Sequence, residues 1–273
     1  MLAASVKGFT ACSVRPLVTL IRAAAGRDSH ISRSPAPKPP PPPAAVRRLS
    51  VAAGASSTMA SSAGLAPRAK AVLDYWFGEG WEVADPNDRH AEKFQIWYRG
   101  GPQVDAEIIR LFTGDCEALL RGEYDAWQGG RPEEALAGIL IGDQLFRNAF
   151  RGTAKMYAAD DKVLSWSKAL LGSGADRQLK PIQRVFVLMP LMHSEVLADQ
   201  NECVDGFTKL GEECEAAGWS DMGAMCKENI KYAISHRDVV QQWGRFPHRN
   251  AILGRESTPE EAAGIAAGTI PKW

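Results

Sequence analysis

The chain has 273 residues, 45% of them hydrophobic, and its formal net charge of zero conceals two unlike parts. Ten of the 32 basic residues but only one of the 32 acidic residues precede residue 71, which leaves 22 basic against 31 acidic residues and a net charge of −9 thereafter. An acidic domain argues against a nucleic-acid-binding surface, and no apolar run approaches the roughly 20 residues that span a bilayer. We therefore expect no nucleic-acid partner and no membrane partner.

The first 65 residues differ in composition from the rest. They are rich in Ala, Ser and Arg and contain the run PAPKPPPPP at residues 35–43. This composition is typical of organelle transit peptides, and consecutive prolines form an extended spacer. We predict a disordered organelle-targeting leader with a proline-rich spacer over residues 1–65, with a generic disordered tail as the alternative. An Arg-bearing stretch at 14–27 favours a mitochondrion, one at 47–56 favours a plastid, and Met59 offers a second start for a cytosolic form.

Residues 66–273 are predicted to form a single all-α domain. Apolar residues recur at spacings of three and four, and alternating β-branched runs are absent. The predicted helices span about residues 67–77, 87–98, 102–121, 132–150, 154–171, 181–200 with a kink at Pro190, 201–217 and 220–243, and a short helix follows the STPEE start signal at 257–261. Short connectors predict stacked helical hairpins in a tetratricopeptide-like array of about eight to ten helices.

The predicted fourth helix becomes polar in its second half. At about 100° per residue, its polar side chains fall within one arc of roughly 140°. They are Asp143, Gln144, Arg147, Asn148 and Arg151. Either the helix emerges into solvent there, or the two arginines line a pocket in which carboxamides orient a ligand.

The predicted sixth helix carries His193, which raises the question of a metal site. If this helix is regular, His193 and Gln200 share one face, while Glu195 and Asp199 lie nearly opposite. His193 therefore cannot join those acids around one ion, although ligation with His236 or His248 stays open. Five widely spaced cysteines without a CxxC pair indicate reduced thiols rather than a zinc site. We predict no metal and no cofactor, and His193 is either a packed histidine or an acid–base group.

The segment RFPHRNAILGR, from Arg245 to Arg255, holds three arginines and a histidine without any acid. Gly244, Pro247 and Gly254 predict a structured loop rather than a helix. The arginines need counter-charge, which either Glu195, Asp199 and Asp143 or an anionic ligand would supply. The predicted catalytic residues are His193 and His248, and the predicted ligand-binding residues are Asp143, Arg147, Asn148, Arg151, Gln200, Arg245, Arg249, Asn250 and Arg255.

Four segments resemble a known family. They are VLDYWFG at 72–78, DQLFRNAFRGT at 143–153, VLMPLMHSEVLADQ at 187–200 and HRDVVQQWGRFPHRNAILGRESTPEE at 236–261. Together they are similar to family 924 of the domains of unknown function, over residues 72–273. The resemblance implies an all-α, tetratricopeptide-like array and implies no activity. The chain departs from the family pattern at Leu145-Phe146, where relatives have Phe-Pro, and in the Ala/Gly-rich stretch 262–268.

Two functional hypotheses follow from these segments. In the first, the polar cluster binds a small anionic metabolite and transforms it by moving protons through His193 or His248. In the second, the protein is a tetratricopeptide-like scaffold that binds a peptide, and the polar cluster is an internal structural network. The two hypotheses differ in whether the arginines are satisfied by the protein's own carboxylates.

Overall fold

A computed structural model describes residues 64–273, and within this range the regular secondary structure is all helical without any strand, as predicted. Residues 1–63 of the predicted leader lie outside the described part. The ten α-helices are α1 Pro67–Phe77, α2 Pro102–Leu120, α3 Pro132–Ile139, α4 Phe146–Ala149, α5 Asp160–Ser173, α6 Pro181–His193, α7 Leu197–Ala216, α8 Ser220–Trp243, α9 Asn250–Leu253 and α10 Pro259–Ala267. None of these helices is both long and apolar enough to cross a membrane.

The best-predicted helices have strong end signals. The bounds of α1 and α8 match the prediction, because α1 begins at a proline and ends before Gly78, while α8 ends at Gly244 in the left-handed conformation. The start of α10 also follows the prediction, since the Thr258 hydroxyl accepts a hydrogen bond from the Glu261 backbone nitrogen at 3.2 Å. These ends need no tertiary contact to specify them.

Three predicted elements are wrong. The second helix is replaced by a 3₁₀ turn at Ala91–Lys93 and a π-helical turn at Gln95–Arg99. The loop predicted at 245–255 contains a 3₁₀ turn, Pro247–Arg249, followed directly by α9. The sixth helix does not reach Gln200 but ends at His193.

The break after α6 is made by Ser194. Its backbone is extended, and its hydroxyl accepts a hydrogen bond from the Val196 nitrogen at 3.1 Å and donates one to Asp199 Oδ2 at 2.7 Å. This local turn competes with the helix and starts α7 in a new direction. His193 and Gln200 therefore lie on different helices, and the helical-wheel argument that separated His193 from Glu195 and Asp199 no longer applies.

A π-helical segment, Leu140–Leu145, joins α3 to α4. It begins just beyond Gly138, where a side chain would collide with the Trp166 ring, and includes Gly142, where one would collide with Val163. The glycines let α5 pack closely against this helix. The wider turn then changes the direction in which the following side chains point, so the predicted single polar arc from Asp143 to Arg151 is wrong.

The core is continuous from Leu65 to Ala233 and is rich in aromatic rings. Five tryptophans contribute to it, since Trp76, Trp81, Trp97, Trp127 and Trp166 are buried. Helices α5 to α8 pack each against the next, and α7 and α8 form the most extensive pair. This is a packed array with helical hairpins, and its likeness to tetratricopeptide repeats stays a prediction. A second, small apolar cluster of Val239, Val240 and Phe246 anchors the 245–255 segment.

Candidate functional site

Four of the five arginines predicted to bind a ligand are paired with carboxylates of the protein. In each pair, two guanidinium nitrogens lie 2.6–3.0 Å from the two oxygens of one carboxylate. The pairs are Arg147–Asp160, Arg151–Asp105, Arg245–Glu261 and Arg255–Glu195. Planar, two-point pairing of this kind is the strongest arrangement available to an arginine and a carboxylate. These four arginines therefore already have counter-ions within the chain.

Arg249 is the exception, although its side chain is only 9% exposed. Its nearest carboxylate oxygen is Asp160 Oδ2, 3.9 Å from Nη1, and its Nε is buried without a hydrogen-bond partner among residues 64–273. Burial lowers the pKa of its guanidinium, and the charge of Arg147 lowers that pKa further. Buried polar groups are nearly always hydrogen-bonded, so a buried guanidinium in this state requires an explanation.

The surroundings of Arg249 define what we call the Arg249 site: Arg147, Tyr157, Asp160, Phe246 and Arg249. The Arg249 guanidinium carbon lies 4.9 Å from the centre of the Tyr157 ring and 4.4 Å from that of Phe246. The Arg147 guanidinium carbon lies 4.7 Å from the centre of the Tyr157 ring, so both arginines contact this ring. Both oxygens of Asp160 are bound by Arg147 at 2.8 Å. Two guanidinium groups thus share one carboxylate.

His193 and Asp143 form a close pair beside this site. His193 Nδ1 lies 2.6 Å from Asp143 Oδ1, and Gln144 Nε2 donates to Asp143 Oδ2 at 2.6 Å. Asp143 is buried, whereas the His193 side chain is 21% exposed. Burial opposes ionisation of Asp143, but the His193 ring and Arg147 outweigh it and hold the pKa of the carboxyl below its ordinary value. A carboxylate that orients a partly exposed imidazole is the arrangement by which a general base is positioned.

The His236 ring lies between His193 and the 245–255 segment and stacks on Trp273. The His236 ring centre lies 6.3 Å from that of His193, 5.7 Å from that of Phe246 and 3.6 Å from the stacked Trp273 ring. Burial lowers the pKa of His236 to about 3, with help from the charge of His193. Burial likewise lowers the pKa of His248 to about 4, with help from Arg249, and the buried His248 Nδ1 has no partner among residues 64–273. Both rings are therefore neutral at neutral pH.

The remaining predicted residues hold the fold together. Asn148 Nδ2 donates to Asp105 Oδ1 at 2.8 Å, so Asn148 and Arg151 point to α2 and away from Arg147. Asn250 Nδ2 donates to Glu261 Oε2 at 3.1 Å, so the carboxylate that pairs with Arg245 also binds Asn250. Gln200 Nε2 donates to the Met192 and Ser194 carbonyls, at 2.7 and 2.6 Å, across the break between α6 and α7. The structure thus separates the predicted set into the Arg249 site with the His193–Asp143 pair and a surrounding structural network.

Several residues of this region were missed by sequence reasoning. Asp160 and Tyr157 were assigned to an ordinary helix, and His236 was considered only as a metal ligand. Trp273 was not considered at all. The signal that could have found Asp160 is its position at the start of a helix behind a short polar connector, but nothing in the sequence pairs it with Arg147. Of the three proposed counter-charges, Glu195 alone binds an arginine of the 245–255 segment, whereas Asp143 takes His193 and Asp199 takes Lys168.

No cluster of three or more potential metal ligands occurs within residues 64–273. His193, Glu195 and Asp199 remain apart despite the break after α6, because Glu195 accepts from the Phe246 backbone nitrogen at 2.8 Å and from Arg255. The polar groups of the Arg249 site are two guanidinium groups, a carboxylate and a phenol, and the neighbouring His193–Asp143 pair adds an imidazole and a second carboxylate.

Comparison with known proteins agrees with the fold. No curated protein matches the chain significantly. The chain is similar to a solved structure described as a protein of unknown function, ATU0120 from Agrobacterium tumefaciens, with 32% identity and a TM-score of 0.58 over 76% of this chain and 100% of that chain. A family model described as a bacterial protein of unknown function (DUF924) matches residues 72–269, which include the whole of the Arg249 site. The chain belongs to the DUF924 family.

Proposed function

We propose that the protein binds a small anion at the Arg249 site. The supporting observation is the unsatisfied guanidinium of Arg249, which is buried in contact with two aromatic rings and whose nearest carboxylate is 3.9 Å away and already bound by Arg147. A buried positive charge of this kind is costly unless an anion completes its hydrogen bonds. The other four arginines offer no comparable site, because each already binds a carboxylate of the chain.

The proposal includes proton transfer by His193. Of the two predicted catalytic histidines, His193 alone has an orienting carboxylate, and a fifth of its side chain is exposed. His248 has the orphan Nδ1 and a pKa of about 4, so it suits a neutral hydrogen-bonding role better than a proton-transfer role. A general base requires a proton-accepting nitrogen held in one orientation, and Asp143 supplies that restraint.

The test is a thermal-shift screen of the full chain against organic acids, phosphate esters and their neutral analogues, with ionic strength matched by NaCl. A ligand at 100 times its dissociation constant adds about 2.7 kcal/mol to the free energy of unfolding. We expect stabilisation by anions and none by neutral analogues, and we expect Arg249→Gln to abolish it. Arg237→Gln is the matched control, because Arg237 pairs with Asp238 on the surface of α8. Stabilisation that persists in Arg249→Gln contradicts the proposal.

A scaffold that binds a peptide is the second candidate. This hypothesis also takes the polar cluster as an internal structural network. The four arginine–carboxylate pairs within the chain favour that part of it, because each pair links two separate segments. On this hypothesis, the Arg249→Gln variant retains every binding partner that the wild-type chain captures from a peptide library. Loss of anion binding together with retained peptide capture would assign the two activities to different surfaces.

A further inference from the structure

We infer that the anion is a carboxylate carrying a single negative charge, held in the plane of the Arg249 guanidinium by its Nε and Nη2 donors. This inference rests on the proposed function and names the ligand chemistry of the same site. It depends on three properties of Arg249: the plane in which its donors lie, the edge that is free, and the amount of charge that is unbalanced.

Two aromatic rings contact the guanidinium. The Tyr157 and Phe246 rings lie 4.9 and 4.4 Å from its central carbon, and cations at this distance interact with the ring face. The guanidinium N–H groups all lie in one plane, so a hydrogen-bonding ligand reaches Arg249 at an edge. Donors at an edge of a guanidinium are parallel and coplanar, so they match two oxygens that lie in that same plane.

The free edge is the one formed by Nε and Nη2. Nη1 is the nitrogen nearest Asp160, at 3.9 Å, and Nε is buried without a partner within residues 64–273. Arg151 and Arg245 use this same edge: each binds its carboxylate through Nε and Nη2 at distances of 2.7–3.0 Å. The protein thus already contains two examples of the proposed geometry, each with a carboxylate as the partner.

The unbalanced charge is at most one unit, reached when His193 is protonated and neutralises Asp143. Asp160 is the carboxylate that both Arg147 and Arg249 face, and Arg147 takes both of its oxygens. Glu195 is occupied by Arg255, and Asp143 by His193. One carboxylate would balance the second guanidinium. A phosphate monoester carries about 1.5 to 2 negative charges at neutral pH, which exceeds this imbalance, so it fits less well.

The test compares acetate, acetamide and methylphosphonate, which are of similar size. Benzoate, benzamide and phenylphosphonate form a second set of larger ligands. Binding to the full chain is measured by calorimetry and by the NMR signal of the Arg249 Nε–H, identified by its absence from Arg249→Lys. We expect each carboxylate to bind at least tenfold more tightly than its phosphonate, to shift this signal, and to bind once per chain. The amides should not bind.

Two variants make the result specific. Arg249→Lys keeps the positive charge but removes the paired donors, so we expect at least a tenfold loss of carboxylate affinity, while Arg237→Gln leaves the affinity unchanged. Circular dichroism and melting of each variant establish that it is folded. Tighter binding of the phosphonates through Arg249 would overturn the inference and leave anion binding intact. If neither the carboxylates nor the phosphonates bind, or if Arg249→Lys binds carboxylates as tightly as the wild-type chain does, the inference is overturned. If Arg249→Gln also binds them as tightly as the wild-type chain does, the proposed function is overturned as well.

Discussion

Replacing Arg249 by methionine should stabilise the ligand-free protein, in contrast to what is expected of a buried structural arginine. Burying a charged group without hydrogen bonds costs several kcal/mol, and the two ring contacts of Arg249 return only about 0.5–2 kcal/mol each. Methionine fills a similar apolar volume and leaves Arg147 and Asp160 as a balanced pair. We expect the free energy of unfolding to rise by about 1–3 kcal/mol.

Arg255→Met provides the contrast within the same segment. It removes both bonds to Glu195, one to the Phe246 carbonyl oxygen and one to Asn250 Oδ1. It also leaves the half-buried Glu195 without its cation, so we expect a loss of about 2–4 kcal/mol. The two substitutions are chemically identical and lie six residues apart, but their effects should have opposite signs.

The assay is urea unfolding of both variants, supported by thermal melting. For a domain of this size, 1 kcal/mol corresponds to about 2–4 °C, so Arg249→Met should raise the melting temperature by roughly 2–12 °C. The same variant should gain nothing from a ligand that stabilises the wild-type chain. A loss of stability in Arg249→Met equal to that in Arg255→Met would refute the reasoning, because Arg249 would then be another structural staple.

The remaining predictions concern pH, packing and capping. His236 stays neutral in the folded state down to pH of about 3 but takes up a proton near 6.5 when unfolded, so stability should fall as the pH is lowered below 6.5. His236→Phe should reduce that slope by about 1.4 kcal/mol per pH unit between pH 6 and 4, as measured by urea unfolding, and an unchanged slope would mean that the ring is not buried as described. Gly142→Ala should cost about 1–3 kcal/mol because the new methyl group collides with Val163, whereas Gly172→Ala, with open space around it, should gain about 0.5–1 kcal/mol. Equal effects at the two glycines would contradict this account of the close approach of α5. Thr258→Ala should cost about 1 kcal/mol by removing the cap of α10, and Thr258→Ser should restore it.

Local chemistry explains which parts of the fold the sequence predicts correctly. The ends of α1 and α8 are specified by a proline and by glycines, whose backbone preferences act without tertiary contacts. The break after α6 carries no such punctuation. It depends on a local turn made by the Ser194 and Gln200 side chains, which apolar periodicity does not reveal, and so the periodicity predicts one long helix in place of two.

The sequence predicts which segments take part in the candidate site but not how their side chains pair. The concentration of arginines at 245–255 indicates this region, since unbalanced charge in a compact segment requires partners. The partners lie far away along the chain: Glu195 is 60 residues from Arg255, and Asp105 is 46 residues from Arg151. A single sequence contains no information on which arginine obtains a carboxylate, so the distinction between Arg249 and its four paired counterparts required the three-dimensional arrangement.

The π-helical segment Leu140–Leu145 restricts how the length of this helix can change during evolution. In a regular helix, each residue that is added or removed turns the following side chains by about 100° around the axis. The wider turn of this segment can accommodate such a residue. Deleting one codon here would restore a regular helix and keep α3 packed through Gly138. It would also rotate Arg147 away from Asp160 and Asp143 away from His193. Insertions and deletions in this segment should therefore disturb the Arg249 site together with the contacts of α4 with α2, while α3 keeps its place.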